Sequence, residues 1–122
     1  MKTILVVDDS SFMRTLVKKA VADLDVKIVG EAEDGRVAFE KYAELKPDIV
    51  TLDIAMVEYD GIEALKNIID LDPQAKIIII SSTTDQDTVA DELKALGAFA
   101  VITKPNIKDS LIEAIQEIEK EG

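Results

Sequence analysis

Short, nearly unbroken apolar runs recur along the chain, and between them the apolar positions spread out to a helical spacing. Ile4–Val7, Val26–Val29, Asp48–Leu52, Ile77–Ile80 and Phe99–Ile102 are brief and rich in β-branched residues, the pattern of strands covered on both faces. Phe12, Leu16, Val17, Ala20, Val21 and Leu24 follow three-and-four spacing, as do Ile107, Leu111, Ile112, Ile115 and Ile118, which predicts amphipathic helices. Weaker helical patterns cover Gly35–Leu45, Ile62–Leu71 and Asp85–Leu96, with Gly97 placed to stop the last of them. Pro47 and Pro73 stand just before the third and fourth strands. Strands alternating with single crossover helices force a mostly parallel sheet with helices on both faces. The predicted fold class is α/β, a single doubly wound (βα)5 domain.

Length agrees with one domain over residues 1–122, and no linker or low-complexity tract divides them. Composition narrows the chemistry further. There is no cysteine and no histidine, which removes disulfides, the usual zinc, copper and iron ligand sets, Ser-His and Cys-His catalysis, and an imidazole pH switch. With 14 Lys+Arg against 25 Asp+Glu the net charge is -11, a field that repels phosphate backbones and anionic lipid heads. No nucleic-acid or membrane partner is expected. No run approaches about 18 uncharged apolar residues, and Met1-Lys2-Thr3 leads directly into the first strand, so the expected location is cytoplasmic.

In open parallel sheets, ligands bind beyond the carboxyl ends of the strands, near the point where strand order reverses. The first strand ends in Asp8-Asp9, the second in Glu31-Ala32-Glu33, the third in Asp53, the fourth in Ser81-Ser82, and the fifth in Thr103-Lys104-Pro105. In the order 2-1-3-4-5, strands one and three flank the reversal, which brings Asp8, Asp9 and Asp53 to one edge. Carboxylates about 4 Å apart repel by a few kcal/mol per pair at an intermediate dielectric, so the edge calls for a counter-charge. An oxygen-only cluster suits Mg2+, and the Lys104 ammonium adds a fixed cation. Mg2+, an ammonium and the Ser81 hydroxyl together suit an incoming phosphoryl group, with the Asp53 carboxylate as nucleophile giving an aspartyl phosphate.

Each position read singly has a plainer role. Asp8-Asp9 before Ser10-Ser11 can cap the first helix, and Asp53 can be a turn residue. Ser81 can belong to a polar loop, and Lys104 can be one more surface lysine. Other functions on the same architecture fit less well. An aspartate-nucleophile phosphohydrolase or mutase needs an acid two residues after Asp53, where Ala55 stands. A flavin phosphate is repelled by the acidic first turn, and no histidine is present to ligate cobalamin. A metal-stabilised interaction module that is never phosphorylated stays open.

Jointly, Asp8-Asp9, Asp53, Ser81 and Lys104-Pro105 resemble the receiver domains of two-component response regulators, over essentially the whole chain. The segments Asp8-Asp9-Ser10-Ser11-Phe12-Met13-Arg14 and Gly30-Glu31-Ala32-Glu33-Asp34-Gly35 are most similar to the free-standing chemotaxis type, the CheY-like receivers. The resemblance implies a flavodoxin-like sheet of order 2-1-3-4-5. It implies Mg2+ held by Asp8, Asp9, Asp53 and the backbone carbonyl of Ala55, and phosphate taken by Asp53 from a chemotaxis-type histidine kinase. It also implies that Ser81 and Lys104 bind the phosphoryl oxygens, that a cis bond joins Lys104 to Pro105, and that the chain catalyses only its own phosphotransfer and autodephosphorylation. The implied output is binding of a downstream protein target, such as a flagellar motor switch or its equivalent, by a monomer through the face of helix four, strand five and helix five. A phosphate sink or a relay intermediate is an alternative output.

Three positions depart from the family pattern. Val57 replaces a usual proline, Val101 a usual tyrosine or phenylalanine, and Asn106 a usual apolar residue. They leave the phosphate site whole, and they predict a weaker or differently built response of helix four and strand five.

Overall fold

The computed structural model describes residues 1–53, 58–81, 86–103 and 107–121, with side chains described for these other than 58–61, 81, 86–90, 103 and 121. Its elements run β1 (Lys2–Val7), α1 (Ser11–Ala20), β2 (Val26–Ala32), α2 (Gly35–Leu45), β3 (Ile49–Asp53), α3 (Glu58–Leu71), β4 (Lys76–Ser81), α4 (Gln86–Ala95), β5 (Ala100–Thr103) and α5 (Ile107–Glu121). All four strand pairings are parallel, as the alternation of strands and helices predicts, and their order β2-β1-β3-β4-β5 is the one the receiver resemblance implies.

Because successive strand residues point to opposite faces, the unbroken apolar runs feed two separate cores. Leu5, Val7, Val50, Leu52, Ile77 and Ile79 pack with Ala38 and Tyr42 of α2, Leu65 and Ile68 of α3 and Leu93 of α4. Ile4, Val6, Ile49, Ile78 and Ile80 pack with Val17 and Ala20 of α1 and Leu111, Ile115 and Ile118 of α5. Tyr42 closes the first core at one end, where its hydroxyl donates to Asp72 Oδ2 at 2.8 Å. Burial and that carboxylate push the phenol well above its ordinary range.

The apolar spacing overstates α1. Val17, Ala20 and Val21 are buried, yet Phe12 is 70% exposed and Leu16 also faces outward, while Leu24 lies beyond the helix. At about 100° per residue, Met13, Val17 and Ala20 form the inward stripe, and Phe12 and Leu16 fall to its side. The helix α3 starts one turn before the predicted Ile62, since the acidic, apolar-poor stretch 58–61 carries no periodic signal. The helix α4 stops as predicted: Gly97 has φ 118°, and a Cβ there would lie 2.8 Å from Ile69 Cγ1. Left-handed backbone and close approach both require glycine.

One irregularity in β2 matters for what lies at the sheet edge. Ile4 pairs with Ile28 but Leu5 pairs with Gly30, so Val29 is an extra residue, a bulge that reverses the facing of everything after it. Gly30 then faces Leu5 and Leu45, and Glu31, opposite Val6, turns toward α1.

Candidate functional site

The central strands β1 and β3 lie side by side, with Val6 opposite Thr51 and Val7 opposite Leu52. One further step brings Asp8 beside Asp53, on strands about 4.8 Å apart. By alternation both belong to the face of Ile4, Val6, Ile49 and Thr51. Asp8 is still tied to the sheet, its N–H donating to Ala32 O at 3.0 Å. The two side chains are 2% and 3% exposed, in a class of residue that is seldom buried. Asp9 is exposed. Thus Asp8 and Asp53 are buried neighbours and Asp9 borders them from solvent; among the described residues no three acidic side chains gather into a metal cage.

The β1–α1 turn is built by its own hydrogen bonds. Ser10 N–H donates to Asp8 Oδ1 at 2.9 Å, and Met13 N–H donates to Ser10 Oγ at 3.2 Å. The helix cap is therefore Ser10, and Asp8 braces the turn in front of it. The backbone of Ser81 ends β4 opposite Thr103 at the end of β5, at the same end of the sheet. The Ser81 side chain, together with Ala55, Val57, Lys104, Pro105 and Asn106, lies outside the described residues. Val101 is half-buried against the core on the α4 side of the sheet.

Behind the turn stands a polar network that the apolar patterning does not reveal. Glu31 Oε1 accepts from Arg14 Nε and Glu31 Oε2 from Lys18 Nζ, both at 2.9 Å. Arg14 Nη1 also donates to Asp8 O, and Lys41 Nζ to Glu31 O. The Lys18 hydrogen bond, with Arg14 adding to it and burial opposing, holds the Glu31 carboxyl below the usual carboxylate range. Its sequence signal is Gly30, a glycine inside a strand, which marks the bulge that turns Glu31 toward α1.

A groove of about 860 Å³ lies at the opposite end of the sheet, between Tyr42, Lys46, Asp48, Asp72 and Lys76. In a parallel sheet that end offers strand N-termini, whereas the ligand-binding crevice lies beyond the strands' carboxyl ends, the end that carries Asp8 and Asp53.

Residues 4–116 match the response regulator receiver domain family. The chain belongs to that family. Chemotaxis protein CheY of Listeria monocytogenes serovar 1/2a is 48% identical over 120 residues, 98% of this chain and 100% of that protein. The crystal structure of the response regulator domain of Thermotoga maritima CheB superposes with TM-score 0.87 at 39% identity, covering 97% of this chain and 96% of that one. The CheX-CheY-BeF3-Mg+2 complex from Borrelia burgdorferi contains a chain matched with TM-score 0.88 at 31% identity, over 96% of this chain and 88% of that one. This receiver domain is thus of the CheY type found in two-component signalling, a class of signalling protein rather than classical enzyme. None of its described helices is long and apolar enough to cross a membrane.

Proposed function

We propose that residues 1–122 form one phosphoacceptor receiver domain in which Asp53 takes a phosphoryl group from a chemotaxis-type histidine kinase. The observation that carries this reading is the burial of Asp8 and Asp53 on adjacent strand ends at the sheet's carboxyl edge. Two buried carboxylates in that position suit a hard divalent cation, because the donor set is oxygen only and Mg2+ needs just one or two protein carboxylates while keeping its waters. Asp8, Asp9, Asp53 and the carbonyl of Ala55 would hold Mg2+. When bound, the ion neutralises charge on the phosphoryl oxygens.

The protein's own part is positioning. A carboxylate oxygen of Asp53 attacks phosphorus in line with the phosphohistidine P–N bond; the O–P bond forms, the P–N bond breaks, and the imidazole leaves on the kinase with its electron pair. The Ser81 hydroxyl and the Lys104 ammonium meet the transferred oxygens. Water attack on the acyl phosphate later returns Asp53 and inorganic phosphate. Output is exchange of protein partners, such as a motor switch, by a cytoplasmic monomer, and Val57, Val101 and Asn106 make the response of α4 and β5 weaker or differently built than in relatives with the usual residues.

The test is intact mass after incubation with a small acyl phosphate donor. A gain of one phosphoryl group with Mg2+, lost when a chelator removes the metal, is expected. A folded protein that gains nothing under either condition overturns the reading and leaves a metal-stabilised interaction module.

A further inference from the structure

The side chains that hold the acidic turn against β2 lie outside the motif positions. Arg14, in the second turn of α1, has a side chain only 17% exposed. Its guanidinium reaches two elements at once, the carbonyl of Asp8 in the β1–α1 turn and the carboxylate of Glu31 at the end of β2. Glu31 is itself fixed from both sides of the sheet, by Lys18 of α1 on its second oxygen and by Lys41 of α2 on its carbonyl. The Val29 bulge makes this possible, because without the extra residue Glu31 would face α2 and α3 instead.

A permanent cation beside a cation site has an electrostatic cost. If Arg14 served only to balance the acidic edge, it would pair with an aspartate carboxylate there. Instead it bonds the main chain of Asp8 and takes its counter-charge from Glu31, so its positive charge is compensated by β2 rather than by an aspartate of the edge. The planar fork of arginine spans a carbonyl and a carboxylate together; one lysine ammonium on a flexible stem does not reproduce that geometry.

We propose that Arg14 is a positioning residue for the divalent-ion site: by clamping the Asp8 carbonyl to Glu31 it fixes the turn that presents Asp8 and Asp9, and Glu31 screens the arginine from the ion. This rests on the reading of the Asp8–Asp53 edge as a Mg2+ site. Losing an outer hydrogen-bond partner of a ligating group costs such sites about tenfold or more in metal affinity.

The experiment compares wild type, Arg14→Ala, Arg14→Lys and Glu31→Gln by amide NMR, first without metal and then through a Mg2+ titration. Without metal, both Arg14 variants are expected to shift the amides of Asp8, Asp9 and Ser10 and to speed exchange of the Ser10 N–H, while the amides of α5 stay in place. With Mg2+, the dissociation constant is expected to rise about tenfold in both, and Glu31→Gln, which leaves Arg14 charged and unscreened, is expected to weaken binding at least as much. Tighter or unchanged Mg2+ binding in Arg14→Ala overturns the proposal, as does full rescue by Arg14→Lys, which would make charge rather than the fork the working part. Should Arg14→Ala fail to fold, Arg14→Lys keeps the charge and the stem and decides alone. A wild type that takes no Mg2+ overturns the phosphoacceptor reading, whereas the metal-free Ser10 exchange still decides whether Arg14 holds the turn.

Discussion

Asp53→Asn is expected to take up no phosphoryl group from any donor that loads the wild type, and to keep its fold. Asparagine has nearly the volume of aspartate, so the buried space at the end of β3 stays filled, and the surrounding apolar contacts of Leu52 and Ile80 are undisturbed. What changes is chemistry. The amide oxygen is a far weaker nucleophile than a carboxylate oxygen because it carries no negative charge, and for the same reason it contributes less to a divalent site. Mg2+ binding should weaken without vanishing, since Asp8 and Asp9 remain. The measurement is intact mass beside a thermal melt: a folded variant with no gain is the expected outcome, and a gain equal to that of wild type would move the acceptor to another side chain.

The second large effect lies in the core. Leu65 and Leu71 sit on the same helix, α3, but Leu65 is fully buried between the sheet and α2 while Leu71 is 51% exposed at the end. Leu65→Ala should lose about 3 kcal/mol, combining lost transfer energy with the cavity left in a tightly packed layer. Against a total of about 5–15 kcal/mol for a domain of ordinary stability, that is a large fraction, and the melting temperature should fall by roughly 10 °C. Leu71→Ala should change stability by no more than about 0.5 kcal/mol. Denaturant melts of the pair check this, and equal losses at the two sites would contradict the packing of α3 on the sheet.

The sheet was legible because parallel strands buried on both faces need continuous apolar runs, and the helical segments between them spread their apolar residues out instead. Val50, Leu52, Ile77 and Ile79 on one face, with Ile49, Ile78 and Ile80 on the other, are the direct expression of that rule. Helix faces were less legible. Phe12 and Leu16 have the spacing of core residues and lie outside the core, since periodicity does not say which of two adjoining stripes meets the sheet. Lys46 ends α2 in the left-handed conformation immediately before Pro47, where a proline ordinarily keeps its predecessor extended.

At the candidate site, Asp8 and Asp53 could be found from the sequence because strand ends are readable, and the strand order that the receiver resemblance implies then makes them neighbours. The Arg14–Glu31 clamp could not, because it depends on a one-residue bulge that changes which face Glu31 occupies. Spacing alone would have placed Glu31 against α2 and α3, away from Arg14 and Lys18. Local irregularity in an edge strand thus decides the long-range partner, and only Gly30 hints at it.

Reduction of the phosphorylated protein with borohydride converts an aspartyl phosphate to homoserine, and peptide mass spectrometry then shows which residue carried the phosphoryl group. Homoserine at position 53, formed only when Mg2+ was present during loading, is the predicted result. Homoserine at Asp8, Asp9 or another carboxylate, with position 53 still aspartate, would contradict it.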